Sequence, residues 1–67
     1  MSELRLIKEF YIKECIKKAQ DDFTELADIA IETGREYYLV RFSNCRYPAY
    51  ITMKEFENYV IGLMAKK

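Results

Sequence analysis

Four carboxylates recur at helical spacing in the middle of the chain: Asp21, Glu25, Asp28 and Glu32, separated by 4, 3 and 4 residues. Positions three and four apart share one face of an α-helix, so a helix here would carry an acidic row. An all-oxygen ligand set would suit Mg²⁺ or Ca²⁺, bound weakly. Metal sites normally gather ligands from more than one element, and no EF-hand spacing is present. The row reads first as a solvated face, second as a docking face for a basic partner, and last as a metal site. No metal and no cofactor is expected.

Catalysis has little to work with. The chain contains no histidine, so acid–base chemistry near neutral pH would need a shifted carboxylate, lysine or cysteine. Cys45 stands beside Arg46, a charge that would lower a thiol pKa. A nucleophile also needs a base and an orienting group, and no imidazole can serve. The expectation is that the protein is not an enzyme. Cys15 falls in a helical pattern and Cys45 in an expected turn, with no CxxC pair to build a zinc set. Two reduced thiols are preferred over a 15–45 bridge or an intermolecular bridge through Cys45.

The third constellation mixes tyrosine with arginine. Residues 37–42 are dense in aromatic and β-branched types, and residues 47–52 read as a return strand across a turn at Asn44 and Cys45. This pairing sets Phe42 against Tyr47, Val40 against Ala49 and Tyr38 against Ile51 on the core face. The opposite face presents Tyr37, Leu39, Arg41 and Tyr50, with Arg35 and Arg46 nearby. Tyrosine and arginine are the types enriched where binding energy concentrates. Alternating with each other on a sheet, they also resemble a stacking platform for single-stranded nucleic acid. No RNP motif, GxxG loop or helix-turn-helix glycine pattern supports that second use. The partner-binding surface is therefore assigned to Tyr37, Arg41, Arg46 and Tyr50. The acidic row of Asp21, Glu25, Asp28 and Glu32 is the second choice. The bland alternative is that the hairpin's second face packs on the N-terminal helix or on another copy of the chain.

The elements that would hold these groups follow from the periods. Ile12, Ile16, Ala19, Phe23, Leu26 and Ala30 form an apolar stripe at helical spacing, and Leu4, Ile7, Tyr11 and Cys15 form a second. Residues 3–32 thus read as one kinked helix or two, restarting at Asp21 and Asp22 and ending at Thr33 and Gly34. A last helix is expected from Thr52. Thr52 and Glu55 fit a capping box, Ile51 and Phe56 fit a hydrophobic staple, and Phe56, Val60, Leu63 and Met64 line its buried face. The expected fold class is α+β, a single domain over residues 1–67 in the order α(α)ββα.

Composition sets the outer limits. Sixty-seven residues make one small domain with a marginal core. At 51% apolar the chain is no candidate for disorder. Eleven basic and eleven acidic side chains give zero net charge, which offers no long-range steering to nucleic acid. The charge is uneven: residues 21–34 hold five acidic groups and no basic one, a local −5. The longest uncharged run, residues 58–65, is far too short to cross a bilayer. The N-terminal residues resemble no signal peptide. The whole suggests a small cytoplasmic interaction protein of accessory or inhibitor type that binds and modulates a protein partner. A nucleic-acid-binding regulator is the alternative, and no membrane is involved. Open hairpin edges and a short core favour a homodimer.

Overall fold

The computed structural model describes residues 2–66. Five elements follow one another: β1 (Ser2–Ile7), α1 (Lys13–Asp22), β2 (Asp28–Thr33), β3 (Tyr37–Ser43) and α2 (Ala49–Ala65). The class is α+β, and the order is βαββα rather than α(α)ββα. The three strands form one sheet in the order β1-β3-β2, and β3 runs antiparallel to both neighbours. β1 and β2 are consequently parallel, joined through α1, with β3 inserted between them.

The long N-terminal helix does not exist. A continuous helix over residues 3–32 would measure about 45 Å, whereas the longest dimension of the molecule is 29 Å. Only the middle of the stripe is helical, where Ile16, Ala19 and Phe23 are buried. The flanking stretches SELRLI and DIAIET alternate instead. Leu4, Leu6, Ile29 and Ile31 point inward, while Glu3, Arg5, Ala30 and Glu32 point outward. Gly34 is not a helix C′ residue with positive φ. It turns the chain from β2 to β3, donating its N–H to the Tyr37 carbonyl at 2.9 Å. A Cβ at Gly34 would sit 2.9 Å from that same oxygen, so close approach explains the glycine.

The expected hairpin is also replaced. The core-face assignment of Tyr38, Val40 and Phe42 stands, but their partners are different. Val40 pairs with Leu4 on one side and Ile31 on the other, and Phe42 with Ser2 and Ile29. Residues 47–52 form no strand. Asn44 takes a positive φ of 51°, which asparagine tolerates, and the chain then enters α2 directly after Pro48. Pro48 is the N-cap residue and makes no side-chain cap. Thr52 lies inside the helix, its hydroxyl bonded back to the Pro48 carbonyl at 3.3 Å, so the capping box is absent. Four residues of early α2 had the composition of a strand; they follow Pro48, whose φ of −50° and ψ of 136° place it just outside the helix.

Both helices cover one face of the sheet. Phe56 stands at the centre of the core, fully buried. Its ring meets Phe23 edge-on at 5.3 Å and Phe42 edge-on at 5.2 Å, tying α1, β3 and α2 together. Leu6, Ile16, Val40 and Val60 are the other large side chains that are fully buried.

Candidate functional site

Among the described residues, no helix covers the opposite face of the sheet. Strand alternation places Tyr37, Leu39 and Arg41 along its central strand. Glu3, Arg5 and Ile7 flank them on β1, and Asp28, Ala30 and Glu32 on β2. The cross-strand rows are Glu3–Arg41–Ala30 and Arg5–Leu39–Glu32, with Ile7 opposite Tyr37. Tyr37 and Leu39 are half-buried and Ile7 is 48% exposed, so the middle of the face is apolar with a charged frame.

The frame is ordered by charge. The Arg41 guanidinium bridges the two outer strands, with Nε 3.1 Å from Glu3 and an Nη 3.1 Å from Glu32. These carboxylates, Glu3 foremost, hold the guanidinium above its usual pKa. The Arg5 guanidinium lies over the Tyr37 ring, 5.2 Å from its centroid.

The expected surface is divided by the fold. Tyr37 and Arg41 lie on this open face. Tyr50 is on the first turn of α2 at 72% exposure, next to exposed Tyr47 and Ile51. Arg46 is exposed in the loop before α2, its backbone N–H bonded to the Leu26 carbonyl at 2.7 Å. The missing return strand would have set Tyr50 beside the others. Sequence reasoning missed Glu3, Arg5, Ile7 and Glu32 as members of the face, because β1 and β2 were read as helix. The period-two alternation in SELRLI and DIAIET was the signal available.

The acidic row is dispersed as well. Asp21 lies in the last turn of α1, Glu25 in the following turn, and Asp28 opens β2, accepting a bond from Asn44 at 2.7 Å. Glu32 serves Arg41. Among the described residues, no three His, Cys, Asp or Glu side chains gather closely enough to hold a metal. Cys15 is buried beneath α2, and Cys45 is half-buried; both are free thiols. An open depression of about 380 Å³ lies between the end of α1 and β2, lined by Gln20, Asp21, Thr24, Ala27, Asp28 and Ile29. Its lining pairs no nucleophile with a base.

Two polar contacts fasten α2. Tyr59 donates to Asp22, which also binds Lys18 at 3.0 Å. These bonds, Tyr59 first, hold the Asp22 carboxyl below the usual carboxylate range. Tyr11 donates to Glu57 at 3.1 Å; burial first, then that bond, raises its phenol pKa. No helix of the described residues is long and apolar enough to cross a membrane. No protein-family model, curated protein or solved structure matches the chain.

Proposed function

We propose that the protein is a small, non-enzymatic cytoplasmic interaction module. It binds and modulates a protein partner through the open sheet face, centred on Tyr37, Leu39 and Arg41. The observation that carries this reading is the uncovered face itself: half-buried Tyr37 and Leu39 on the central strand, inside a frame of ordered charges. An apolar centre with a polar rim, rich in tyrosine and arginine, is how protein interfaces are built. The charge favours protein over nucleic acid. Arg5 and Arg41 stand against Glu3, Asp28 and Glu32, two cations against three anions, for a face of −1. Such a face repels phosphate, and Arg41 is already committed to two carboxylates.

The test compares the wild type with Tyr37→Ala/Leu39→Ala. A partner captured from the native host by the wild type is identified and titrated against both proteins. The double variant should bind at least tenfold more weakly, about 1.4 kcal/mol, while keeping its circular dichroism spectrum. Equal affinity would move the site off this face, to Tyr50 and Arg46. Tight binding to DNA or RNA that falls steeply with salt would replace the reading with a nucleic-acid one.

A further inference from the structure

The sheet has two edges, and only one is blunted. Gly34 N–H bonds Tyr37, and Lys8 N–H bonds the Glu36 carbonyl at 3.0 Å. Antiparallel strands alternate residues that face the neighbour with residues that face away. On β2 the backbone groups of Ile29, Ile31 and Thr33 therefore point outward. On β1 those of Glu3, Arg5 and Ile7 do. The β2 edge is occupied by its own chain. Gln20 donates to the Ile29 carbonyl at 2.7 Å, and Lys13 and Lys17 line the groove beside Ile31 and Thr33. Lysines at an edge are a recognised defence against strand addition. On β1, the Ile7 carbonyl takes the N–H groups of Phe10 and Tyr11. Glu3 and Arg5 have no backbone partner on the outer side among the described residues.

We propose that two copies of the chain join β1 to β1 antiparallel about a two-fold axis at Leu4, forming a continuous six-stranded sheet. The register follows from charge. Hydrogen-bonded pairs must match outward-facing residues, so the axis passes through a residue; with the Ile7 carbonyl already bonded, that residue is Glu3, Leu4 or Arg5, and at Glu3 the carboxylate would oppose its own copy. At Arg5 the guanidinium would oppose its own copy, which destabilises a sheet. At Leu4, Glu3 of each copy faces Arg5 of the other. Both are exposed and on the same sheet face, and the pair occurs twice. Each Glu3–Arg5 pair also exchanges two backbone bonds. On the helix-bearing face, half-buried Leu4 meets Leu4.

The helices fit this arrangement. α2 packs over β1 and β3, so the two α2 helices would lie about two strand spacings apart, roughly 10 Å. That is the usual distance between packed helices. Tyr59 and Leu63 face α1, through Asp22 and beside Cys15. By helical period Tyr50, Met53, Glu57 and Ile61 occupy the other flank, toward the β1 edge. There Tyr50 is 72% and Ile61 45% exposed. Pairing covers the exposed Tyr50 and Ile61 of this flank, whose Glu57 is already held by Tyr11, and leaves the open sheet face free, so the dimer stands or falls apart from the partner-binding reading.

Sedimentation equilibrium across the micromolar range should approach twice the 8.0 kDa chain mass. Arg5→Glu sets Glu3 against a carboxylate and should give a folded monomer. The swap Glu3→Arg/Arg5→Glu should restore the dimer. A wild type that stays monomeric overturns the proposal, as does a dimer that survives Arg5→Glu, or a folded swap that stays monomeric. If Arg5→Glu or the swap fails to fold, amide exchange in the wild type decides. Glu3 and Arg5 amides that slow as concentration rises, with Ile31 unchanged, support the β1 interface. Concentration-independent exchange at Glu3 and Arg5 overturns it.

Discussion

Replacing Phe56 with leucine tests whether one ring holds the two layers together. The side chain is fully buried and meets Phe23 and Phe42 edge-on. Each aromatic pair contributes about 0.5–1.5 kcal/mol beyond its area. Losing both geometries while keeping an apolar side chain should therefore cost about 1–3 kcal/mol. Alanine at the same place would cost about 3–5 kcal/mol. At roughly 0.05–0.15 kcal/mol per residue, a chain of 67 residues holds about 3–10 kcal/mol in all. Phe56→Ala should thus leave much of the population unfolded, whereas Phe56→Leu remains measurable. A 2 kcal/mol loss lowers Tm by about 8–16 °C in a domain of this size. Urea unfolding of the wild type, Phe56→Leu, Phe23→Leu and the double variant gives the coupling directly. A Phe56→Leu variant within about 0.5 kcal/mol of the wild type would refute the argument. So would additive effects at Phe23 and Phe56, because they would mean the rings do not act as a pair.

Neighbouring residues on β3 should behave oppositely. Val40→Asp buries a carboxylate and should abolish the folded circular dichroism spectrum, while Leu39→Asp, on the open face, should leave a cooperative transition. Comparable unfolding by both would mean that something covers that face. Gly34→Ala forces a Cβ to within 2.9 Å of the Tyr37 carbonyl oxygen, and it should lower the thermal midpoint although no positive φ is involved. An unchanged midpoint would show that the turn relaxes freely. The Asp22 carboxyl should titrate below 3.8 in the folded protein, because the Tyr59 and Lys18 bonds favour its charged form. A depressed folded pKa adds stability that is complete above the unfolded value and is lost as pH falls through the folded one. In Tyr59→Phe the carbon-detected NMR titration of Asp22 should move upward, and the variant should unfold at a higher pH during acidification. No movement would assign the shift to Lys18 alone.

The legible parts of the sequence were those with a single period. Residues 37–42 are dense in strand-forming types and Arg41 marks one face as polar, so the inward set of Tyr38, Val40 and Phe42 and the outward set of Tyr37, Leu39 and Arg41 could be assigned, although through a return strand at 47–52 that the structure lacks. Phe56 and Val60 could be placed on the buried side of the last helix, and Ile16, Ala19 and Phe23 on that of the first. The outer strands failed for a physical reason. Leu4, Ile7, Tyr11 and Cys15 satisfy helical spacing by coincidence, and so do Leu26 and Ala30. A six-residue strand offers too few positions to outvote a longer apparent stripe. Tertiary pairing with β3 then overrode the local preference. The candidate face suffered in proportion. Its central strand was visible, and its flanks were not. The T-x-x-E pattern at Thr52 misled because a capping box specifies side-chain bonds only where the backbone has free N–H groups. Here the Thr52 N–H is already bonded to Pro48.

Inserting β3 between β1 and β2 sets an order of events during folding. β2 and β3 are joined by a short turn and can zip as a hairpin on the microsecond scale. β1 has no local partner. Its residues pair only with β3, Ser2 with Phe42 and Ile7 with Tyr37, so at least residues 8–36 must be looped out before its first ladder bond forms. On the ribosome, β1 emerges before β3 and waits unpaired until β3 has been made. The molecule's slowest step should therefore be the docking of β1. Mutations in β1 should then change the folding rate more than equally destabilising ones in the hairpin turn.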